Sequence, residues 1–384
     1  MPLDFGALRR HPDIEGRGLE GSDAADRLIL DESAALAAGL GAGQLVVVDD
    51  AYGALALGSA AAGARGIRVH QDLITGERAL AANAERAGLA DAVRSLPLGA
   101  ELLAGARLVL LRLPRSLDRL DEVAGLIAQH AASDVTVVAG GRIKHMSLAM
   151  NEVLGAWFSR VDVSHARQKS RVLIARGPGL ETRPTPSGAA RPPRTGWPRG
   201  ERHDDLRLTV VAHGGVFAGT GVDIGTRFLL QHLGDAVPDA ATAVDLACGS
   251  GVVAAWLAHA RPSLGVTATD RSAAAAASAR ETAEINGLAD RITVRQADGL
   301  EHLAEASERL VVLNPPFHSD AALHTGIAAH LFHDAARVLA PGGELWCVWN
   351  SHLRYRPLLE RTVGPTRQIA RNAKFTVTAS SRSS

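Results

Sequence analysis

Short apolar runs alternate with helix-period stretches over most of the chain. Residues 44–50 (Gln-Leu-Val-Val-Val-Asp-Asp) are apolar at consecutive positions, the pattern of a strand buried on both faces of a parallel sheet, and residues 67–70 predict a second. Ala-rich stretches at 54–64 and 76–87 predict helices, 108–113 a strand, 117–131 an amphipathic helix and 135–139 another strand. Past residue 205 the plan returns. Strands are predicted at 242–247, 265–269, 291–296, 309–313 and 344–349, helices at 252–260, 272–285 and 321–339, and a closing strand at 375–378. Strands separated by helices predict an α/β fold on doubly wound parallel sheets. Residues 176–205 contain Arg-Pro-Thr-Pro-Ser-Gly and Arg-Pro-Pro-Arg-Thr-Gly, and predict a linker between a domain at 1–175 and one at 206–384.

The two halves align as a duplication. Gly66 to Gln71, a helix and Ala87-Gly88-Leu89 match Gly265 to Asp270, a helix and Asn286-Gly287-Leu288 without a gap. Val48 to Gly53 is set against Val244 to Gly249, and Leu110 to Arg115 against Val312 to Phe317. In the first copy Gln71 replaces the acid, one glycine of the loop remains as Gly53, and Arg112-Leu113-Pro114-Arg115 replaces Asn314-Pro315-Pro316-Phe317. Fold-bearing positions persist and chemistry-bearing ones do not, so the first domain is expected to lack an active site.

Composition narrows the class. The 384 residues suffice for two cores, and 46% hydrophobic with 21% charged residues indicates a globular protein. Lys plus Arg equals Asp plus Glu, 41 of each, so no global field draws the chain to nucleic acid or membrane. No apolar run approaches a membrane span and the start lacks a signal-peptide core, which predicts a cytoplasmic protein without a membrane partner. Cys248 and Cys347 do not form a disulfide framework and are expected to be reduced. Locally, residues 1–40 lean acidic and 142–202 lean basic, the latter a candidate RNA footprint.

The chemistry concentrates in the second half. An apolar run ends at Asn314-Pro315-Pro316-Phe317-His318, where proline fixes φ and carries no N–H. The Asn314 side-chain oxygen and the Pro315 carbonyl are candidate acceptors for the two hydrogens of a planar exocyclic amine, and Phe317 a candidate ring to stack on the base. Asp245-Leu246-Ala247-Cys248-Gly249-Ser250-Gly251 reads as a strand, a glycine turn and a helix start, a place where a ligand approaches the backbone. Asp270 ends the next strand at the position of a ribose-binding acid, with Arg271 beside it, and Asp298-Gly299 ends the one after, where the carboxylate suits an adenine amino group. Ala254 stands where a dinucleotide motif has its third glycine, which favours a single nucleoside such as S-adenosylmethionine. His330, His333 and Asp334 fit a helix surface better than a ligand set, and no metal is expected.

These residues together resemble a class I methyltransferase acting on an exocyclic amine. The chain is similar to the ribosomal RNA guanine-N2 methyltransferases that carry a degenerate methyltransferase domain before the active one, most of all the large-subunit 23S enzyme, with its 16S relative close. Gly215-Val216-Phe217, Gly221 to Phe228, Asn314 to His318 and Asn372 to Phe375 carry the likeness, which covers nearly all of 40–380. It implies two tandem Rossmann-like domains, S-adenosylmethionine as cofactor, ribosomal RNA or a ribosomal subunit as partner, and a monomer. It also implies that Phe217, Asp223, Gly225 and Thr226 close over the methionine end of the cofactor, although Asp223 equally suits a helix cap. Departures are the Arg/Pro linker, Asp298 where these enzymes often have asparagine, and Trp349-Asn350-Ser351-His352. The first domain, with Arg112, Arg115, Lys144, Arg167, Lys169 and Arg171, is expected to contact RNA phosphates. Alternatives are an N-methyltransferase for protein glutamine or DNA adenine, and a cofactor-binding protein without catalysis.

Overall fold

The computed structural model describes residues 3–16, 18–179, 196–316 and 321–382. The chain divides into two compact units, Met1–Gly196 and Trp197–Ser384. The first contains α1 (Ala24–Ala37), β1 (Leu45–Val48), α2 (Ala54–Ala61), β2 (Ile67–His70), α3 (Ile74–Ala87), β3 (Val93–Ser95) and α4 (Ala100–Leu103). It continues through β4 (Leu108–Arg112), α5 (Leu117–His130), β5 (Thr136–Arg142), α6 (Leu148–Gly155), β6 (Phe158–Val163) and β7 (Ser170–Pro178). The second opens with a two-stranded sheet of β8 (Arg199–His203) and β9 (Leu208–Ala212), then α7 (Ile224–Leu230), β10 (Thr242–Leu246), α8 (Val252–Ala260), β11 (Gly265–Asp270), α9 (Ala273–Ile285) and β12 (Ile292–Gln296). β13 (Glu308–Leu313), α10 (Ala321–Val338), β14 (Leu339–Asn350), α11 (Arg356–Thr362), β15 (Thr366–Arg371) and β16 (Phe375–Ser381) complete it.

Both main sheets have seven strands in the same order. They run β3-β2-β1-β4-β5-β7-β6 and β12-β11-β10-β13-β14-β16-β15. The first five are parallel, and the strand between the last two neighbours, β7 or β16, runs antiparallel to both. Central strands are apolar throughout because helices cover both faces: Leu45 to Val48 and Leu310 to Leu313 are buried without a break. Two free, buried cysteines, Cys248 and Cys347, sit in this second unit.

The structure shortens the expected linker. β7 runs through Pro178 and β8 begins at Arg199, because strand pairing satisfies backbone that the local Pro/Gly content disfavours; the middle of the stretch, 180–195, lies outside the described residues. The acidic start is also structured. Asp23 and Asp26 form a capping box on α1, and the leader docks by Asn83, whose Oδ1 accepts the Arg9 N–H at 2.9 Å and whose Nδ2 donates to the Arg9 carbonyl at 2.9 Å. The second unit has the same device: Thr282 bonds both the N–H and the carbonyl of Val211. The duplication therefore extends into the leader.

Strand register fixes the equivalences. Val48 lies opposite Leu111 and Leu246 opposite Leu313, which equates Arg112 with Asn314. The glycine loops align two residues away from the sequence match. Asp49 and Ala247 both adopt left-handed φ (58° and 57°), and Gly53 and Gly251 are both left-handed N-caps (98° and 76°), so Gly53 answers to Gly251 rather than Gly249. The acids that cap the following helices then come from different places: Asp50 Oδ2 accepts from Ala56 N and Asp245 Oδ2 from Ala254 N, each at 2.9 Å.

Candidate active site

The second unit gathers its chemistry at the carboxyl ends of β10, β11, β12 and β13, where open parallel sheets bind ligands. Asp245 sits lowest. It is 3% exposed, and burial, opposed by its bond from Ala254 N and reinforced by the nearby Asp270 charge, pushes its carboxyl up to about 7. Expected among the cofactor-binding residues, it anchors the start of α8 beneath the loop. Ala247, Gly249 and Gly251 give the loop its left-handed turns, and a Cβ on Gly251 would lie 2.9 Å from Ala279 Cα, so only glycine lets α9 come this close. Cys248 is a packing residue, with burial pushing its thiol well up and its N–H given to the Thr269 carbonyl at 3.0 Å.

Asp270 locks that loop. Its Oδ2 accepts the Gly249 N–H at 3.0 Å and its Oδ1 the Ser272 N–H at 2.9 Å. The loop N–H groups of Cys248, Gly249 and Gly251 are thus engaged internally, the last with the Cys248 carbonyl at 2.8 Å. The Arg271 carbonyl accepts from Gln296 Nε2 at 3.2 Å. Asp298 faces His330, with 3.5 Å between Oδ1 and Nε2, and this contact raises the His330 pKa. Gly299 takes φ 60°, and a Cβ there would collide with Asp334, which accepts the Leu300 N–H at 2.8 Å. His333 bonds the Ala329 carbonyl, so His330, His333 and Asp334 turn to different partners.

Asn314 emerges from β13 beside the start of α7. Its Nδ2 donates to Thr226 Oγ1 at 3.0 Å and toward Asp223 Oδ2 at 3.4 Å, while Asp223 caps α7 through the N–H groups of Gly225 and Thr226. This orientation leaves Asn314 Oδ1 buried with no partner among the described residues. A buried carbonyl oxygen without a donor is unfavourable, and a ligand N–H would relieve it. Pro315 is buried and Pro316 exposed behind it; Phe317 and His318 lie outside the described residues. Phe217 is 44% exposed on the segment leading to α7. Sequence reasoning found Asp223 as a cap and Asn314 as an acceptor but missed their link, since 91 residues separate them.

The equivalent place in the first unit has been rebuilt. Gln71, at the position of Asp270, donates to the carbonyls of Asp50, Ala51 and Gly76. Arg119 crosses the strand ends, buried, with bonds to Asp49 Oδ1 at 3.1 Å and His70 Nε2 at 3.0 Å. Arg112 is paired with Asp23 and Asp26, Arg167 with Asp31, and Arg160 and Arg176 share Asp162. Arg112 and Arg167, expected to reach phosphate, are therefore engaged by their own chain, whose acidic leader supplies the counter-charges.

A family model described as methyltransferase small domain matches residues 207–379, and one described as RLMG N-terminal domain matches 3–179. The chain is similar to the ribosomal RNA large subunit methyltransferase G of Pseudomonas aeruginosa, 35% identical over 375 residues and 96% of each chain. That of Streptomyces coelicolor is 35% identical over 376 residues, again 96% of each. Among solved structures, a T. thermophilus 16S rRNA N2 methyltransferase in complex with AdoMet and guanosine has 21% identity, a TM-score of 0.73, and coverage of 96% of this chain and 97% of that one, a likeness of fold.

Proposed function

Since the chain belongs to the ribosomal RNA large subunit methyltransferase G family, we propose that it methylates the exocyclic N2 amine of a guanine in 23S rRNA, and that its second unit does the chemistry. Its cofactor is S-adenosylmethionine. The residues present fit that group: a strand-end acid, Asp270, for ribose hydroxyls, Asp298 for the adenine amine, and a glycine loop whose Gly251 keeps the backbone close to α9. When bound, S-adenosylmethionine supplies an electrophilic methyl on a sulfonium, with a neutral thioether as leaving group.

The chain's own part is to make a poor nucleophile ready. The lone pair of a guanine amine is delocalised into the ring until acceptors draw its hydrogens out of plane. Asn314 Oδ1 is such an acceptor, already fixed by the Thr226 and Asp223 contacts to Nδ2, so little reorganisation remains when the base arrives. The Pro315 carbonyl serves as the second acceptor and Phe317 stacks on a base turned out of its helix. After transfer the cationic amine loses its proton readily, so no strong base is required.

Asn314 Oδ1, buried without a partner among the described residues, is the observation that carries this reading. Purified protein, labelled S-adenosylmethionine, and naked 23S rRNA, assembled large subunits, 16S rRNA, DNA and protein extract in parallel test it. Label released from 23S rRNA as N2-methylguanosine supports it. Label in adenine or protein, or none anywhere, overturns it.

A further inference from the structure

Three side chains of α10 reach the turn that follows β12. His330, Asp334 and Arg337 stand at i, i+4 and i+7, so they share one face of the helix. Asp334 accepts the Leu300 N–H at 2.8 Å, and Arg337 donates to the Leu300 and Leu303 carbonyls at 2.6 and 2.7 Å. From β11, Thr269 Oγ1 donates to the Gly299 carbonyl at 3.1 Å, and Glu301 accepts the Asp298 N–H at 3.3 Å. The backbone of the turn is therefore held at several points. None of these bonds touches the Asp298 side chain.

His330 does. Its Nε2 lies 3.5 Å from Asp298 Oδ1, and the two side chains are 47% and 20% exposed. The terminal torsion of an aspartate is broad, so its direction is set by what it bonds. Donation suits either state of the ring: an imidazolium donates from both nitrogens, and a neutral ring facing Oδ1 carries its proton on Nε2. Asp298 raises the His330 pKa first through this hydrogen bond, with Asp334 acting the same way and burial and Arg271 opposing. Gly299 keeps the approach open, since a Cβ there would collide with Asp334 and stand 3.4 Å from His330 Nε2.

We propose that His330 is a positioning residue for the cofactor: it aims the Asp298 carboxylate at the 6-amino group of the purine, and so makes the pocket select adenine over a 6-oxo base. This rests on the placement of the adenine amine at Asp298. A carboxylate oxygen accepts and cannot donate, so it favours an amine and opposes an oxo group in the same place. That preference needs the carboxylate held. Once free to turn, it lets water mediate between the wall and either base.

Calorimetric binding of S-adenosylhomocysteine, the product after methyl loss, and of S-inosylhomocysteine, its 6-oxo counterpart, to the full chain tests this without RNA. The wild-type protein is expected to prefer the adenine compound by about a hundredfold. His330→Ala should cut that preference to about tenfold, chiefly by weakening the adenine compound. His330→Gln, whose amide also donates, should restore it to within about threefold of wild type, and Asp298→Ala should leave a preference of only about threefold. A His330→Ala protein that keeps the wild-type preference, whether its affinities are unchanged or reduced by a common factor, overturns the proposal, because His330 then only packs α10. Failure of glutamine to restore the preference does the same. If Asp298→Ala also keeps the preference, the adenine placement itself falls. If Asp298→Ala loses it while His330→Ala does not, that placement stands and only the role of His330 fails.

Discussion

Asn314 is oriented by Thr226: Nδ2 donates to the threonine Oγ1 at 3.0 Å, and Oδ1 is left buried without a partner among the described residues. Exchanging the amide's two ends would set its carbonyl against the Asp223 carboxylate, which cannot donate, so the free acceptor follows from the cap of α7.

Asn314→Ala should lower kcat at least a hundredfold, about 2.7 kcal/mol of transition-state stabilisation, with S-adenosylmethionine affinity within about twofold of wild type. Thr226→Val keeps Asn314 but frees it to rotate, and should cost about tenfold in kcat. Single-turnover rates with calorimetric cofactor titrations check both. Equal losses of affinity and rate would make Asn314 part of the loop's architecture.

Asp270 has two duties, and variants separate them. It accepts from Gly249 N and Ser272 N, and its remaining lone pairs suit ribose hydroxyls. Asp270→Ala should weaken S-adenosylmethionine binding by about 1.5–3 kcal/mol. Asp270→Asn keeps one acceptor oxygen and should fall between. Calorimetry giving wild-type affinity for the alanine variant would leave Asp270 with loop support alone.

The parallel strands were legible because burial on both faces leaves an apolar run, as at Leu45 to Val48 and Leu310 to Leu313. The outer strands were not: β6 and β15 are partly exposed and carry charged residues such as Arg160, Asp162, Arg367 and Arg371, so their pairing is set by neighbours rather than by their own pattern. Asn314, Asp270 and the glycine turn could be located because each ends an apolar run. The Asp223–Thr226–Asn314 contact could not, since nothing local marks the partners. The glycine loop of the first copy misled for a related reason. Matching letters favoured Gly53 with Gly249, whereas left-handed backbone at Asp49 and Ala247 fixes the alignment. Charge was the least legible feature: the basic block looked free for RNA, yet Arg160 and Arg176 share Asp162, and Asp31, which engages Arg167, lies more than a hundred residues upstream of it.

Arg112 is expected to hold the first unit together rather than to bind a ligand. It bridges Asp23 and the nearly buried Asp26, so Arg112→Met leaves two carboxylates without their counter-charge. Breaking such a pair from one side costs about 3 kcal/mol. Chemical denaturation should show that loss, while the cofactor affinity of the second unit stays unchanged. Adding Asp26→Asn should restore part of it, and no recovery in the double variant would mean that Arg112 acts by packing alone.

Asp245 makes stability depend on pH in a direction opposite to most carboxylates. Its pKa is raised to about 7 in the folded protein, far above the ordinary carboxylate value of about 3.9, so the folded state holds its proton more tightly than the unfolded chain does. The stability it contributes is therefore complete below about pH 4 and is lost as pH rises through about 7. Asp245→Asn mimics the protonated form and keeps an oxygen to accept the Ala254 N–H. It should match wild type near pH 4 and exceed it by roughly 2–4 kcal/mol at pH 8. Urea denaturation of both proteins from pH 4.5 to 8.5 measures the gap. A gap that opens with pH assigns the effect to this carboxyl, whereas a constant one would mean that its burial carries no proton linkage.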